Sequence, residues 1–408
     1  EGYLKMYPLE ATMQGDSRYN DLLSNNISSE FISKEIEFYT DTQKKLKSID
    51  YDDLSDEQKT VYDVLDYTLK DKIERYAYHP ELMPFSQFEG LPLDFPLLGS
   101  AEGNQPFKTT KDYDNWLKRI DAFVIWMNTA EKNFREGMKQ NVVLPKKLVV
   151  KMIPQMHSEE IITEDFDKNI FYGPIKKMPK NFSAKDKEKY KILYQEAISS
   201  KIIPAYQKMG DFLEKEYLPK ARNTDGINAL PNGKNIYEYY AKSWTTTNKT
   251  PEEINKIGLQ QVAMLRAEME KVKTQLGFKG SLEEFLTSLK TDKKAMPYKT
   301  PEEVIAAFNG ILKKIEPKLP SMFTKFPKTP FEIRRTEKFR EASASAEYKQ
   351  GTPDGKRPGI FYTPIPDATK YNVTNGFESL FLHEAIPGHH YQVSLQQENT
   401  EIPKFMRF

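Results

Sequence analysis

A mostly α-helical fold with a small β-sheet is predicted by three features of this 408-residue sequence. Capping oxygens stand three residues ahead of a glutamate, apolar residues then recur at helical spacing, and a single segment reads as a strand. Glu30 to Ile49, Glu57 to Tyr76 and Tyr113 to Lys139 each read as a helix, and Lys185 to Glu216 gives another long one. Pro80 to Pro106 holds prolines and glycines with few periodic apolar residues, so it is expected to be a long irregular excursion over a cleft. A second break runs from Leu218 to Gly233 and contains Pro219, Gly226 and Pro231. It is expected to divide an N-terminal helical lobe, residues 1–230, from a second lobe, residues 231–408.

In the second lobe Thr250-Pro251-Glu252-Glu253, Ser281-Leu282-Glu283-Glu284 and Thr300-Pro301-Glu302-Glu303 announce helix starts. In each, the capping side chain satisfies amides that a first turn leaves free, and two carry Pro at the favoured first position. Ile254, Ile257, Val262, Leu265, Met269, Val272 and Leu276 then give one long amphipathic helix ending at Gly277. The strand is Gly359-Ile360-Phe361-Tyr362-Thr363, preceded by the turn signal Pro353-Asp354-Gly355. Pro358 and Pro364 flank it, and because proline cannot donate to a ladder they point to an edge strand.

Composition removes several classes of function. The 60 Lys and Arg interleave with 59 Asp and Glu, leaving a net charge of +1 and no basic stripe for phosphates, so no nucleic-acid partner is expected. No stretch approaches the roughly 18 consecutive apolar residues of a membrane span. With 24 Phe and 23 Tyr the chain is unlike a disordered one. Cysteine is absent, so there is no disulfide, thiolate nucleophile or Cys-ligated metal, and any metal must sit on His, Asp or Glu. The chain begins at Glu1, which is compatible with a targeting segment removed upstream.

Three of the five histidines fall in Leu382-His383-Glu384-Ala385-Ile386-Pro387-Gly388-His389-His390. Asn375 and Glu378 read as a capping pair, and Phe377, Leu380, Phe381, Leu382, Ala385 and Ile386 make this helix apolar nearly all round. Glu384 then projects among Phe377, Leu380 and Phe381, and a carboxylate in such surroundings needs a cation or a catalytic role. Zinc chemistry accounts for these residue types. Imidazoles bind Zn²⁺, the metal brings the pKa of water to about 7, and an adjacent glutamate can take the proton. The usual H-E-x-x-H spacing fails, because Pro387 stands four residues after His383. Pro387 and Gly388 allow a backbone bulge that returns His389 toward His383. Without a bulge His390 shares the face of His383 but lies roughly 10 Å along the axis, too far for one ion. The reading therefore favours His383 and His389 as ligands, with His390 supporting them or touching substrate. His79 and His157 are read as ordinary hydrogen-bonded residues, Tyr237 to Tyr240 as core or cleft wall, and Lys185 to Tyr190 as a solvated face.

Leu382 to Gln392, LHEAIPGHHYQ, resembles the bacterial domain-of-unknown-function family 885, whose members are often labelled lipoproteins and are thought to be related to gluzincin zinc peptidases. Arg135-Glu136-Gly137 through Pro145, Tyr217-Leu218-Pro219 through Leu230-Pro231, Thr245 through Glu253, and Arg357 through Tyr362 resemble family blocks in the same order. The resemblance implies a two-lobed helical gluzincin-like fold with a deep cleft. It implies His383 and His389 as metal ligands, Glu384 as general base, and the strand carrying Gly359, Phe361 and Tyr362 as the edge that pairs with an extended peptide substrate. A third, glutamate ligand is expected in a later segment resembling EGWALY, which lies beyond Phe408, so the C-terminal part of the catalytic lobe is expected to be missing; Glu378 and Glu341 are the nearest local substitutes. The family labelling further implies the cell envelope or periplasm, with a lipid anchor upstream of the recorded chain.

These readings combine into a zinc-dependent peptidase acting on short peptides, of carboxypeptidase or dipeptidase type. The competing expectation is a non-catalytic peptide-binding protein of the cell envelope on a degenerate peptidase scaffold. Metal-assisted hydrolysis of another amide or ester would use the same residues.

Overall fold

Apolar faces set three or four residues apart turn into helices along most of the chain, and the computed structural model describes all residues except 338–340, 342–343 and 375. The helices of eight or more residues are α1 (Ser29–Lys47), α2 (Asp56–Glu74), α3 (Leu91–Gly99), α4 (Thr110–Lys139), α5 (Lys146–Met156), α6 (Ala184–Ala197), α7 (Ile203–Phe212), α8 (Gly233–Thr245), α9 (Pro251–Gln275), α10 (Leu282–Thr291), α11 (Pro301–Ile315), α12 (Phe377–Glu384) and α13 (His389–Glu398). The fold is mostly α. None of these helices is long and apolar enough to cross a membrane. The chain divides into two compact units, Glu1–Glu253 and Ile254–Phe408.

The first unit is built on α4, whose Trp116, Phe123, Trp126 and Phe134 are all buried. Its N-terminus is fixed by Thr109 and Asp112, which cap each other's backbone amides. The segment expected to be an irregular excursion, Pro80 to Pro106, instead contains α3 and delivers Phe95 to this core. Phe95 stacks on Phe123 at 4.0 Å and 4°. The prolines Pro92 and Pro96 hid the helix, yet Pro92 sits in its first turn, where the missing amide costs nothing. The long helix expected from Lys185 to Glu216 forms as α6 and α7, separated by one π-helical turn at Ile198–Ile202 and followed by another at Leu213–Tyr217. Each wider turn shifts the helix face. The faces so set bring Tyr194, Tyr206, Met209 and Phe212 into the α4 core.

The boundary between units lies beyond α8, whereas the sequence break is at 230/231. Tyr239 of α8 donates to the Asp71 carbonyl at 3.2 Å and stacks on Tyr78 at 4.7 Å, which ties α8 to the first unit.

Thr250 with Glu253, at the end of the first unit, and Ser281 with Glu284, in the second, form the reciprocal capping bonds expected of them. Thr300 accepts from the Glu303 amide at 3.3 Å. The apolar stripe of α9, including Val262, Leu265 and Met269, stays exposed. Three strands form one sheet in the order β1-β3-β2, where β1 is Phe331–Arg335, β2 is Glu347–Lys349 and β3 is Gly359–Thr363. β1 runs parallel to β3, pairing Phe331 with Gly359 and Arg335 with Thr363. β2 runs antiparallel to it, pairing Tyr348 with Phe361.

The expected edge strand is therefore the central one. Pro358 and Pro364 stop short of β3 on either side, so neither needs to donate to a ladder, and both neighbours can pair. All five β3 residues are buried. Phe361, at 0% exposure, packs edge-on against Phe308 at 5.1 Å and joins Val304, Phe377 and Phe381 in the core, while Tyr362 is buried as well. Neither the side chains nor the backbone edges of β3 are open to a substrate strand.

Candidate metal centre

The histidine segment is positioned by α12, whose Phe377 and Phe381 face the same core as Phe308. The expected Asn375 cap lies outside the described residues. The helix is amphipathic and not apolar all round: Leu382 is 37% exposed, and His383 and Glu378 are exposed too. Glu384 sits at the C-terminal end with its side chain 14% exposed, sheltered but not enclosed.

The expected bulge is a complete break. α12 ends at Glu384, Ala385 takes φ −110° and ψ −105°, the Ile386–Pro387 bond is cis, and α13 begins at His389. Gly388 is held against the last carbonyls of α12, since a Cβ there would lie 1.9 Å from the His383 oxygen and 2.3 Å from the Leu382 oxygen. Only a residue without a side chain permits that approach. The His390 amide then donates to the Ala385 carbonyl at 3.1 Å, which fixes the start of α13.

This turn brings the two expected ligands together. The rings of His383 and His389 lie 4.8 Å apart between centroids at 90°, and Glu384 Oε2 is 3.9 Å from His389 Nε2. His383, Glu384 and His389 each offer one ligand atom within 4.8 Å of the others. Tetrahedral zinc at ordinary Zn–N lengths sets its donors about 3.4 Å apart, so small side-chain rotations suffice to close on an ion. Both imidazoles are exposed and accessible. The residues thus fit a divalent metal of zinc type by donor chemistry and by spacing.

His390 faces the other way. It is 3% exposed, its Nδ1 lies 3.0 Å from the Tyr348 hydroxyl and 3.4 Å from Ser394 Oγ, and its ring rests 5.0 Å from Phe331. Burial pushes its pKa down to about 4, against weaker opposing effects from Glu398 and the Thr329 backbone. It is a buried imidazole held by Tyr348 and Ser394, apart from the His383–His389 pair.

The two local glutamates considered as third ligand are otherwise engaged. Glu378 is exposed and 3.5 Å from Lys314. Glu341 takes a two-pronged bond from Arg335, 2.7 Å on each oxygen, and accepts from the Ile365 amide. Among the described residues, Glu384 is the carboxylate that joins the pair of imidazoles. Sequence reasoning missed Tyr348, whose ring stacks on His389 at 6.4 Å and 19°. A three-residue strand with one aromatic carries no pattern that would have singled it out.

His79 is exposed and bonded to Glu81 at 3.0 Å. His157 lies beside Asp211 and Glu214 in a second His and carboxylate group. There Asp211 is already paired with Lys215 at 2.8 Å, so its charge is matched without a metal.

Residues 8–408 match a family model described as a bacterial protein of unknown function, DUF885. No curated protein matches the chain. Among solved structures, the chain is similar to the "putative lipoprotein from Colwellia psychrerythraea", with 21% identity and a TM-score of 0.90 over 99% of this chain and 72% of that one. At that identity the likeness establishes a shared fold.

Proposed function

The chain belongs to the DUF885 family of bacterial proteins, and from that premise we propose that it is a zinc-dependent hydrolase of peptide bonds in short peptides. The observation that carries the reading is the convergence of His383, Glu384 and His389 within 4.8 Å at a break between two helices. Zinc at this place would supply Lewis acidity, making water acidic near neutral pH and polarising a carbonyl. His383 and His389 would hold it through their ring nitrogens. Glu384, sheltered beside both, would accept the proton of the attacking water and return it to the departing amine. An extended peptide would add to the outer edge of β2, since β3 already has a neighbour on each side. The lipoprotein description of the structural relative supports a place in the cell envelope.

A second reading is a peptide-binding envelope protein without turnover. It is favoured by the closeness of Glu384 Oε2 to His389 Nε2, 3.9 Å, because a glutamate that coordinates the metal cannot also serve as base. One experiment separates the two. Metal content and peptide turnover are measured on metal-replete protein and on Glu384→Gln. About one zinc per chain in both, with turnover falling by about 10²-fold or more in the variant, supports the hydrolase. Loss of zinc in the variant makes Glu384 a ligand, and intact folding without zinc or turnover in the parent protein refutes the hydrolase.

A further inference from the structure

Tyr348 stands where β2 meets the start of α13 and touches both later histidines. Its hydroxyl lies 3.0 Å from His390 Nδ1, and its ring is nearly parallel to that of His389, 19° apart at 6.4 Å. Ser394 Oγ lies 3.4 Å from the same His390 nitrogen. β3 passes so closely that a Cβ on Gly359 would lie 2.1 Å from the Tyr348 oxygen and 2.8 Å from His390 Nδ1. Glycine at 359 therefore makes room for this hydrogen bond.

The Tyr348 hydroxyl is engaged at His390 Nδ1, and His390 is itself only 3% exposed. The hydroxyl is thus committed to the interior. What Tyr348 turns toward the metal centre is the face of its ring.

We propose that Tyr348 is a positioning residue: clamped by His390, its ring fixes the plane of the His389 imidazole. This rests on the reading of His389 as a metal ligand. An imidazole on the protein surface otherwise rotates about χ1 and χ2, and ordering it on binding lowers affinity. Outer-shell partners that hold a ligand ring are worth 10- to 100-fold in metal affinity. The alternative role, a hydroxyl donated to a substrate oxyanion, is disfavoured because the hydroxyl is already engaged at His390 Nδ1.

The test titrates the purified chain with Co²⁺, recording affinity and visible spectrum, and follows the His389 ring signals by NMR in the metal-free chain. Tyr348→Leu is expected to bind Co²⁺ 10- to 100-fold more weakly with an altered spectrum, and Tyr348→Phe several-fold more weakly because the ring stays but loses its clamp. In the metal-free chain the His389 ring signals should become rotationally averaged in Tyr348→Leu. Unchanged affinity, spectrum and ring signals in both variants overturn the proposal, as does a Tyr348→Phe that loses turnover alone. A parent protein that takes up no Co²⁺ defeats the metal reading, and the ring signals then decide the positioning role by themselves. If Tyr348→Leu lacks a cooperative unfolding transition, Ser394→Ala, which removes the hydroxyl beside His390 Nδ1 and so loosens the clamp, replaces it with the same readouts.

Discussion

The β-carbon that Gly388 lacks would lie 1.9 Å from the carbonyl oxygen of His383. The same contact that excludes a side chain folds α13 back onto the end of α12 and sets the two imidazoles at a right angle. Gly388→Ala should therefore separate His389 from His383. The expected cost is about 1–3 kcal/mol or more, because the obstruction is backbone that cannot rotate away. Calorimetric unfolding should show the lower stability and equilibrium dialysis the loss of zinc. Wild-type zinc uptake in a folded Gly388→Ala would show that the turn does not determine the site.

Zinc should stabilise the folded chain through the α12–α13 junction and nowhere else. A ligand that binds only the folded state adds about 2.7 kcal/mol at a concentration 100 times its dissociation constant. Thermal unfolding of the parent protein is expected to move upward with added Zn²⁺ and to fall back with chelator. His389→Ala should abolish the shift and His157→Ala should keep it, since Asp211 is already paired with Lys215. A shift abolished by His157→Ala would move the metal centre to the first unit.

Much of this architecture can be read from residues whose signals are local. The Ser281 and Glu284 pair announces α10 because its capping bonds lie within one turn. The Pro387-Gly388 break is likewise legible, although whether it makes a bulge or ends the helix depends on packing of Gly388 against the His383 carbonyl. The rank of β3 in its sheet was not legible. That is set by strands 331–335 and 347–349, too short to show alternation, and flanking prolines constrain only their own positions. Pro80 to Pro106 misled for a related reason: Phe95 owes its burial to Trp116 and Phe123 across the core, which no local pattern records.

Phe361→Ala separates a core role from a substrate role. Phe361 is fully buried among Phe308, Phe381 and Val304, so truncation should cost about 3–5 kcal/mol. Zinc affinity below the lowered unfolding temperature should stay within a few-fold of the parent, because the ring does not face the imidazoles. Denaturant unfolding and zinc titration on the same sample check both points. A variant with parental stability but weakened peptide binding would return Phe361 to the substrate site.

Asp354 gives the loop between β2 and β3 a defined pH response. Its carboxylate accepts from Thr352 Oγ1 at 2.7 Å, from the Lys356 amide at 3.1 Å and from Lys356 Nζ at 2.9 Å. The Thr352 bond first and the Lys356 contacts after it hold its pKa down to about 2, below the ordinary 3.8. Below pH 4 the unfolded chain takes up a proton at this residue that the folded chain refuses until about pH 2, so stability falls as pH falls through that window and is fully present above it. The group is largely solvated, which limits the effect to at most about 1 kcal/mol. The stability difference between the parent and Asp354→Asn should therefore be constant from pH 7 to about 4.5 and shrink toward pH 2. A difference that stays constant down to pH 2 would mean that the Thr352 and Lys356 bonds do not form in solution.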